Sequence, residues 1–174
     1  MPKFSPIESW RLPVSAFGDA FREMAIDGAS GNEGVTLWLG TRRDGHAVIT
    51  HSVILRGSGI VKRPDYLNIE PDLLNDVADL AIELNVSLVG QIHSHGPGYG
   101  TDLSYTDRTY GIKVPHYLSI VAPDYAMNSE VSIADCGVHV YEPDVGFRRL
   151  PQPEIESRIE LIRDTTPVLT VGNK

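Results

Sequence analysis

Two histidines separated by one residue stand in Gln91-Ile92-His93-Ser94-His95-Gly96, and Ser104-Tyr105-Thr106-Asp107 follows after a short loop. On a strand, side chains at i and i+2 share a face, with their backbones about 6.6 Å apart. Two imidazoles at that separation can both reach one ion, because zinc–nitrogen bonds are about 2.0–2.1 Å long. Ser94 then points the other way. The competing reading is a polar strand end that faces solvent. Position argues against it: the pair closes an apolar run and opens a glycine-rich loop, the kind of place where scaffolds display site residues.

The third ligand candidate is Asp107. Ser104 with an acidic residue three positions on also has the form of a capping box. The two readings are compatible, since a helix opening at Ser104 holds Asp107 in its first turn and fixes its carboxylate. Two His and one Asp leave a fourth tetrahedral position for water, as a catalytic zinc site requires. Asp102 competes for the third place from the same loop. A hydrolytic site also needs a proton acceptor beside the water. No Glu lies in the His-x-His segment and the chain has no His-Glu-x-x-His helix. Spacing alone does not choose the base.

Several elements must position these groups. Val14, Phe17, Phe21, Met24 and Ala25 recur at helical spacing and predict an amphipathic helix from Val14 to Ile26. Val35 to Leu39 and Ala47 to Leu55 read as strands joined through the Asp44-Gly45 turn. Gly57 to Glu70 reads as loop. Pro71 suits the first position of a second helix, whose apolar face carries Leu73, Leu74, Val77, Leu80, Ala81 and Leu84. Val86 to His93 and Leu118 to Ala122 are strands of buried type, Val131 to Ala134 and Gly137 to Tyr141 short strands, and Pro153 to Arg163 a late helix. The fold class is therefore α/β (α+β): a mixed, largely antiparallel sheet flanked by helices. One domain is expected over residues 1–163, with a loosely held tail over 164–174.

Composition narrows the function. Among 174 residues, 15 Lys+Arg stand against 23 Asp+Glu for a net charge of −8. That balance argues against nucleic acid as a partner and against a polybasic membrane anchor. The single cysteine, Cys136, permits neither an intramolecular disulfide nor a cysteine-based metal site, and reads as a small buried hydrophobe. The chain lacks the apolar stretch of a secretory signal near its start and any bilayer-spanning run, so a cytoplasmic protein is expected. His46 and His51, five apart and so on opposite strand faces, do not pair; His116 and His139 are isolated and read as surface or hydrogen-bonded structural residues.

Taken together, Glu33, His93-Ser94-His95 and Ser104-x-x-Asp107 resemble the signature of the JAMM (MPN-plus, JAB) metalloproteases, a family with many ubiquitin and ubiquitin-like isopeptidases. Glu33-Gly34-Val35-Thr36-Leu37-Trp38-Leu39-Gly40 fits the family's form of Glu, six residues, Gly before the first hairpin strand. The resemblance runs from the first helix to about Tyr141 and implies an MPN/JAB, cytidine deaminase-like architecture. It implies that His93, His95 and Asp107 ligate Zn2+, that Glu33 is general base and acid, and that Ser104 donates to the oxyanion. Two departures stand out: Gly96 replaces the usual Pro after the second His, and the spacer from His95 to Ser104 is one residue longer. A single inserted residue, bulged in a glycine-rich loop, explains both.

The resemblance further implies a substrate. Small stand-alone bacterial members of this family accompany ubiquitin-like proteins and E1- and E2-like enzymes, including in antiviral defence operons. The expected activity is hydrolysis after the C-terminal tail of a ubiquitin-like protein, as precursor processing or deconjugation. Gly57 to Glu70 occupies the place of the family's substrate-binding insertion, with Tyr66 and Leu67 as candidate contacts. Two alternatives remain: a non-catalytic MPN scaffold, and a peptidase for a small peptide or a sulfur-carrier protein's extension. Inactive members typically lose ligands, whereas this chain keeps all three and Glu33.

Overall fold

The computed structural model describes residues 6–173. Strand β1 (Ser9–Pro13) runs directly into helix α1 (Val14–Ala29), followed by the hairpin of β2 (Val35–Arg43) and β3 (His46–Arg56). A second hairpin, β4 (Ile60–Arg63) and β5 (Tyr66–Ile69), precedes α2 (Pro71–Glu83) and β6 (Ser87–Ser94). Then come α3 (Tyr105–Tyr110), β7 (Leu118–Ala122), β8 (Gly137–Glu142), β9 (Gly146–Arg149), α4 (Gln152–Arg158), β10 (Ile159–Ile162) and β11 (Val168–Gly172). The main sheet is mixed, in the order β10-β1-β3-β2-β6-β7-β8-β9, with β11 also on β3; β4 and β5 pair separately. The expected mixed α/β class is the one the chain adopts. No helix among the described residues is long and apolar enough to cross a membrane.

The two helical faces read from periodicity cover opposite sides of this sheet. On one side α1 buries Ala16, Ala20, Phe21 and Met24 with Trp10, Trp38, Ile92, Ile120 and Val138. On the other α2 buries Leu73, Val77 and Ala81 with Val35, Leu37, Leu39, Val53 and Leu55. β2 is therefore apolar on both faces, as a central strand must be. It is flanked by β3 and β6, both antiparallel to it. β6 pairs with β7 in parallel, so its C-terminal end and the loop that follows are held from both sides. That end carries the His-x-His pair.

Two irregularities adjoin Leu39: the ladder with β3 passes from Leu39↔His51 to Gly40↔Ile49, and the ladder with β6 from Trp38↔Gly90 to Leu39↔Leu88. Each leaves one residue, Thr50 or Val89, without an opposite number. Such bulges reverse the in/out alternation and increase local twist. Ala47 and Ile49 consequently join one core while Val53 and Leu55 join the other. His46 and His51 thus share a face, contrary to strict alternation, yet they do not meet. His46 bonds to Ser9 and His51 to Thr50.

Several elements depart from expectation. Gly57–Glu70 is not a bare loop: Ile60–Arg63 and Tyr66–Ile69 pair across Pro64-Asp65. Residues 131–134 do not form a strand, because the Asp135 carboxylate accepts from Ser132 N and Oγ (3.0 and 3.1 Å) and winds a short 3-10 turn instead. The late helix stops at Arg158, and Ile159–Ile162 pairs in parallel with β1. Nor does the tail from Asp164 hang free, since Val168–Gly172 pairs with Ser52–Arg56. β1 and β11 lie end to end along one edge of β3 and satisfy backbone groups that would otherwise be exposed. Cys136 is buried in the α1-side core, and burial first, then Asp135, pushes its thiol up to about 12. Ending the chain at Pro167 is expected to cost about 1–2 kcal/mol and lower the melting temperature by roughly 2–8 °C in calorimetry; an unchanged melt would mean that β11 adds nothing to the fold.

Candidate metal centre

Alternation along β6 puts Gln91 and His93 on one face, and His95 follows just beyond the strand. Ser94 turns away, as expected. Its Oγ accepts from Gly34 N (2.8 Å), and its own N donates to Gly34 O (3.0 Å). This exchange ties the start of β2, and Glu33 with it, to the His-x-His segment. Glu33 N also donates to Arg63 O (2.9 Å), which sets the β4–β5 hairpin beside it. His95 is fixed through its backbone: its N donates to Ala122 O (2.9 Å) and its O accepts from Tyr125 N (2.8 Å).

The loop after His95 turns back on itself. Gly100, at φ +72, presents its carbonyl 3.0 Å from His95 Nδ1. Nδ1 donates there, so in the neutral ring the lone pair falls on Nε2, the usual device for orienting a ligating imidazole. Gly96 is required by close approach, since a Cβ there would stand 2.5 Å from the Tyr125 ring. Tyr125 lies in a turn of three non-glycine residues at positive φ, Asp124 to Ala126, and its hydroxyl donates to Pro64 O (2.9 Å).

Ser104 caps α3 as a capping box: Asp107 N donates to Ser104 Oγ (3.0 Å), and Ser104 N donates to Asp107 Oδ2 (2.9 Å). The cap aims Oδ2 at the histidines. His93 Nε2, His95 Nε2 and Asp107 Oδ2 form a triangle with sides of 3.2, 3.3 and 3.0 Å. Glu33 joins them, and one ligand atom from each of the four lies within 4.8 Å of the others. Glu33, His93 and His95 are buried. Atoms held at about 2.0–2.1 Å in a tetrahedron stand about 3.3–3.4 Å apart, so the triangle matches one tetrahedral face to within a few tenths of an ångström. The donor set fits a divalent transition-metal ion with an open position.

Electrostatics agree. Burial raises the Asp107 carboxyl, but hydrogen bonds from His93 and His95 outweigh it and hold the group well below the ordinary range. Burial likewise disfavours a charged His95, yet Asp107 and Glu33 bring its pKa out above the ordinary value. For Glu33 burial dominates, pushing the carboxyl up to about 8 against the opposing pull of His95. Asp102, the rival ligand, belongs elsewhere: its Oδ1 accepts from Leu103 N (2.9 Å), Arg108 Nη2 (3.0 Å) and His139 Nε2 (3.0 Å). His139, expected as a surface or a hydrogen-bonded structural residue, is the latter: it is fully buried, with Ser119 O and Asp102 as its partners.

"Probable metalloprotease y4jG" of Sinorhizobium fredii is 33% identical over 128 residues, which cover 72% of this chain and 78% of that protein. The chain belongs to this metalloprotease family. Among solved structures, this metalloprotease-family chain resembles the solution structure of a protein from Desulfitobacterium hafniense, at TM-score 0.61 and 14% identity over 90% of this chain and 94% of the other. A solution structure from Salinibacter ruber gives TM-score 0.50 and 23% identity over 82% and 93%. Both likenesses concern the fold. No protein-family profile matches the chain.

The protein is expected to take up one divalent ion per chain, and His95→Ala to lose it, by elemental analysis after gel filtration. Ligation requires His95 without its Nε2 proton. Because its folded pKa is raised, affinity should be full at alkaline pH and fall as acidification protonates the ring, from a higher pH than a free imidazole would set. Affinity that stays level between about pH 8 and pH 5 would contradict the ligand assignment.

Proposed function

We propose that the chain is a zinc-dependent isopeptidase of the JAMM type that cleaves the bond after the C-terminal tail of a ubiquitin-like protein. The observation that carries this reading is the close triangle of buried His93 and His95 with the half-buried Asp107, and buried Glu33 beside it. The metalloprotease family supports the reaction class, and the order of Glu33, His93-Ser94-His95 and Ser104-x-x-Asp107 supports the type. A non-catalytic scaffold has no use for Glu33 buried against the ligand set.

In this reading His93, His95 and Asp107 hold Zn2+, which when bound acidifies a water and polarises the scissile carbonyl. The chain's own residues do the rest. Glu33 has a carboxyl that binds a proton readily near neutral pH, so it can take one from the attacking water and pass it to the departing amine. Ser104 gives only a lone pair to the helix cap, and its hydroxyl proton stays available to the developing oxyanion. Gly100 holds the His95 ring, and the capping box holds the Asp107 carboxylate. The hairpin of β4 and β5 offers the incoming tail a strand edge close to Glu33, with Tyr66 and Leu67 as contacts, a mode in which backbone hydrogen bonds supply much of the affinity.

The setting proposed with it is a cytoplasmic ubiquitin-like antiviral system, with E1- and E2-like proteins as companions and either processing or deconjugation as the task. Glu33→Gln is expected to reduce cleavage of a ubiquitin-like fusion by roughly 10²–10⁴ while metal content stays stoichiometric, because it removes the proton carrier and no ligand. Ser104→Ala should lower kcat by about 10²–10³. A Glu33→Gln enzyme of near-normal activity would remove the assigned base, and an effect of Ser104→Ala below a few-fold would remove the oxyanion donor.

A further inference from the structure

The β4–β5 hairpin pairs with no other strand among the described residues. A two-stranded ribbon is marginal in water, so its position depends on what holds it from outside. Ile60, Leu67 and Ile69 pack on the α2-side core, and Lys62 Nζ donates to Asp27 Oδ2 (2.9 Å) near the end of α1. The tip is a different case, because Arg63, Pro64 and Asp65 are all exposed. Two successive carbonyls of that exposed turn are nevertheless taken. Glu33 N donates to Arg63 O (2.9 Å), and the Tyr125 hydroxyl donates to Pro64 O (2.9 Å).

Tyr125 is itself held from several sides. Its N donates to His95 O (2.8 Å), and its own carbonyl lies against Gly28, where a Cβ would stand 2.3 Å away. Its ring covers Gly96, where a Cβ would stand 2.5 Å from Cζ. Any side chain at 96, the proline of the resembling signature included, would run into the ring. The glycine at 96 and the tyrosine at 125 therefore belong together. The backbone that places the ring is unfavourable: Asp124, Tyr125 and Ala126 have φ of 54°, 54° and 58°, in the left-handed region that L residues avoid. Such a run persists only where its surroundings over-determine it. Ala126, buried in the α1-side core, anchors one end, and the tyrosine hydroxyl on Pro64 the other. Closing the chain after β7 does not by itself call for a tyrosine in such a turn, since glycine enters it without strain.

We propose that Tyr125 is a positioning residue: its hydroxyl ties the hairpin tip to the His95 segment and so sets the strand edge that receives the substrate's tail beside the metal ligands. The seating of the tail rests on the isopeptidase reading above, whereas the tie rests on the contacts alone. Tyr125 acts on the tail only through the hairpin. Its loss weakens ground-state and transition-state binding alike, and the effect falls on KM and not on kcat.

The test compares the zinc-loaded full chain with Tyr125→Phe, which keeps the ring over Gly96 and removes only the hydroxyl. Hydrogen exchange of the backbone amides of residues 60–69 is followed without substrate, where it reads local opening. Cleavage is followed on ubiquitin-like domains joined through their C-terminal tails to a fluorescent protein. Exchange in the hairpin should quicken by about 2–10-fold, the worth of one hydrogen bond, while exchange in the main sheet, the melting temperature and the zinc content stay level. KM should rise by a similar factor and kcat stay within about two-fold. Gly96→Ala, which displaces the ring with its hydroxyl intact, should give the same pattern. In a Tyr125→Gly background Gly96→Ala should add nothing, because no ring is left to displace. Unchanged hairpin exchange in Tyr125→Phe would overturn the tie. Quickened exchange with KM unchanged, or with the loss falling on kcat, would overturn the seating of the tail. Failure of the unaltered chain to cleave any fusion would overturn the isopeptidase reading and the seating with it, and the exchange rates would still decide the tie.

Discussion

Three electron-rich atoms from three side chains crowd into one buried corner, and such a corner is stable only if positive charge is shared among them. His93 Nε2, His95 Nε2 and Asp107 Oδ2 lie 3.0–3.3 Å apart. The opposed shifts of His95 and Asp107 express the same demand in terms of protons: the imidazole holds its proton more firmly, and the carboxylate resists taking one. A divalent ion meets this demand with a larger charge and with directional bonds. Much of the surrounding architecture serves to keep the three atoms close against their mutual repulsion.

That support comes from ordinary backbone chemistry applied at three places. The reciprocal bonds of Gly34 and Ser94 register β2 against β6 at the point where Glu33 must meet the histidines. The capping box makes the start of α3 double as an aiming device for a carboxylate. Gly100 turns its carbonyl toward His95 and selects the ring nitrogen that faces the corner. Each of these contacts sets the position of one member of the four-residue cluster.

The local part of this arrangement was legible in the sequence and the remote part was not. The shared direction of His93 and His95 follows from strand period, and cap spacing made Asp107 a candidate beside its rival Asp102; both are short-range rules. Glu33 is far away along the chain, and only the pairing of β2 with β6 brings it in; resemblance to a family supplied what spacing could not. The two helices covering the sheet were readable because their apolar faces are periodic. The edge strands were not. Ile155, Ile159 and Ile162 keep helical spacing, but the free edge of β1 captures Ile159–Ile162 as a strand. β11 is likewise defined by its partner β3, and the bulge at Thr50 defeats any reading that counts residues in twos.

Asp102, set aside as a ligand, joins three parts of the molecule at one oxygen: its own loop through Leu103, helix α3 through Arg108, and the sheet through His139. This junction lies after the glycine-rich stretch and before Ser104. Slack introduced between His95 and Asp102 is therefore taken up before it reaches the helix, so the length of that loop is decoupled from the placement of Asp107. Between Gly96, packed on Tyr125, and Gly100, bonded to His95, the tip of the segment can change what it offers to solvent without moving Asp107.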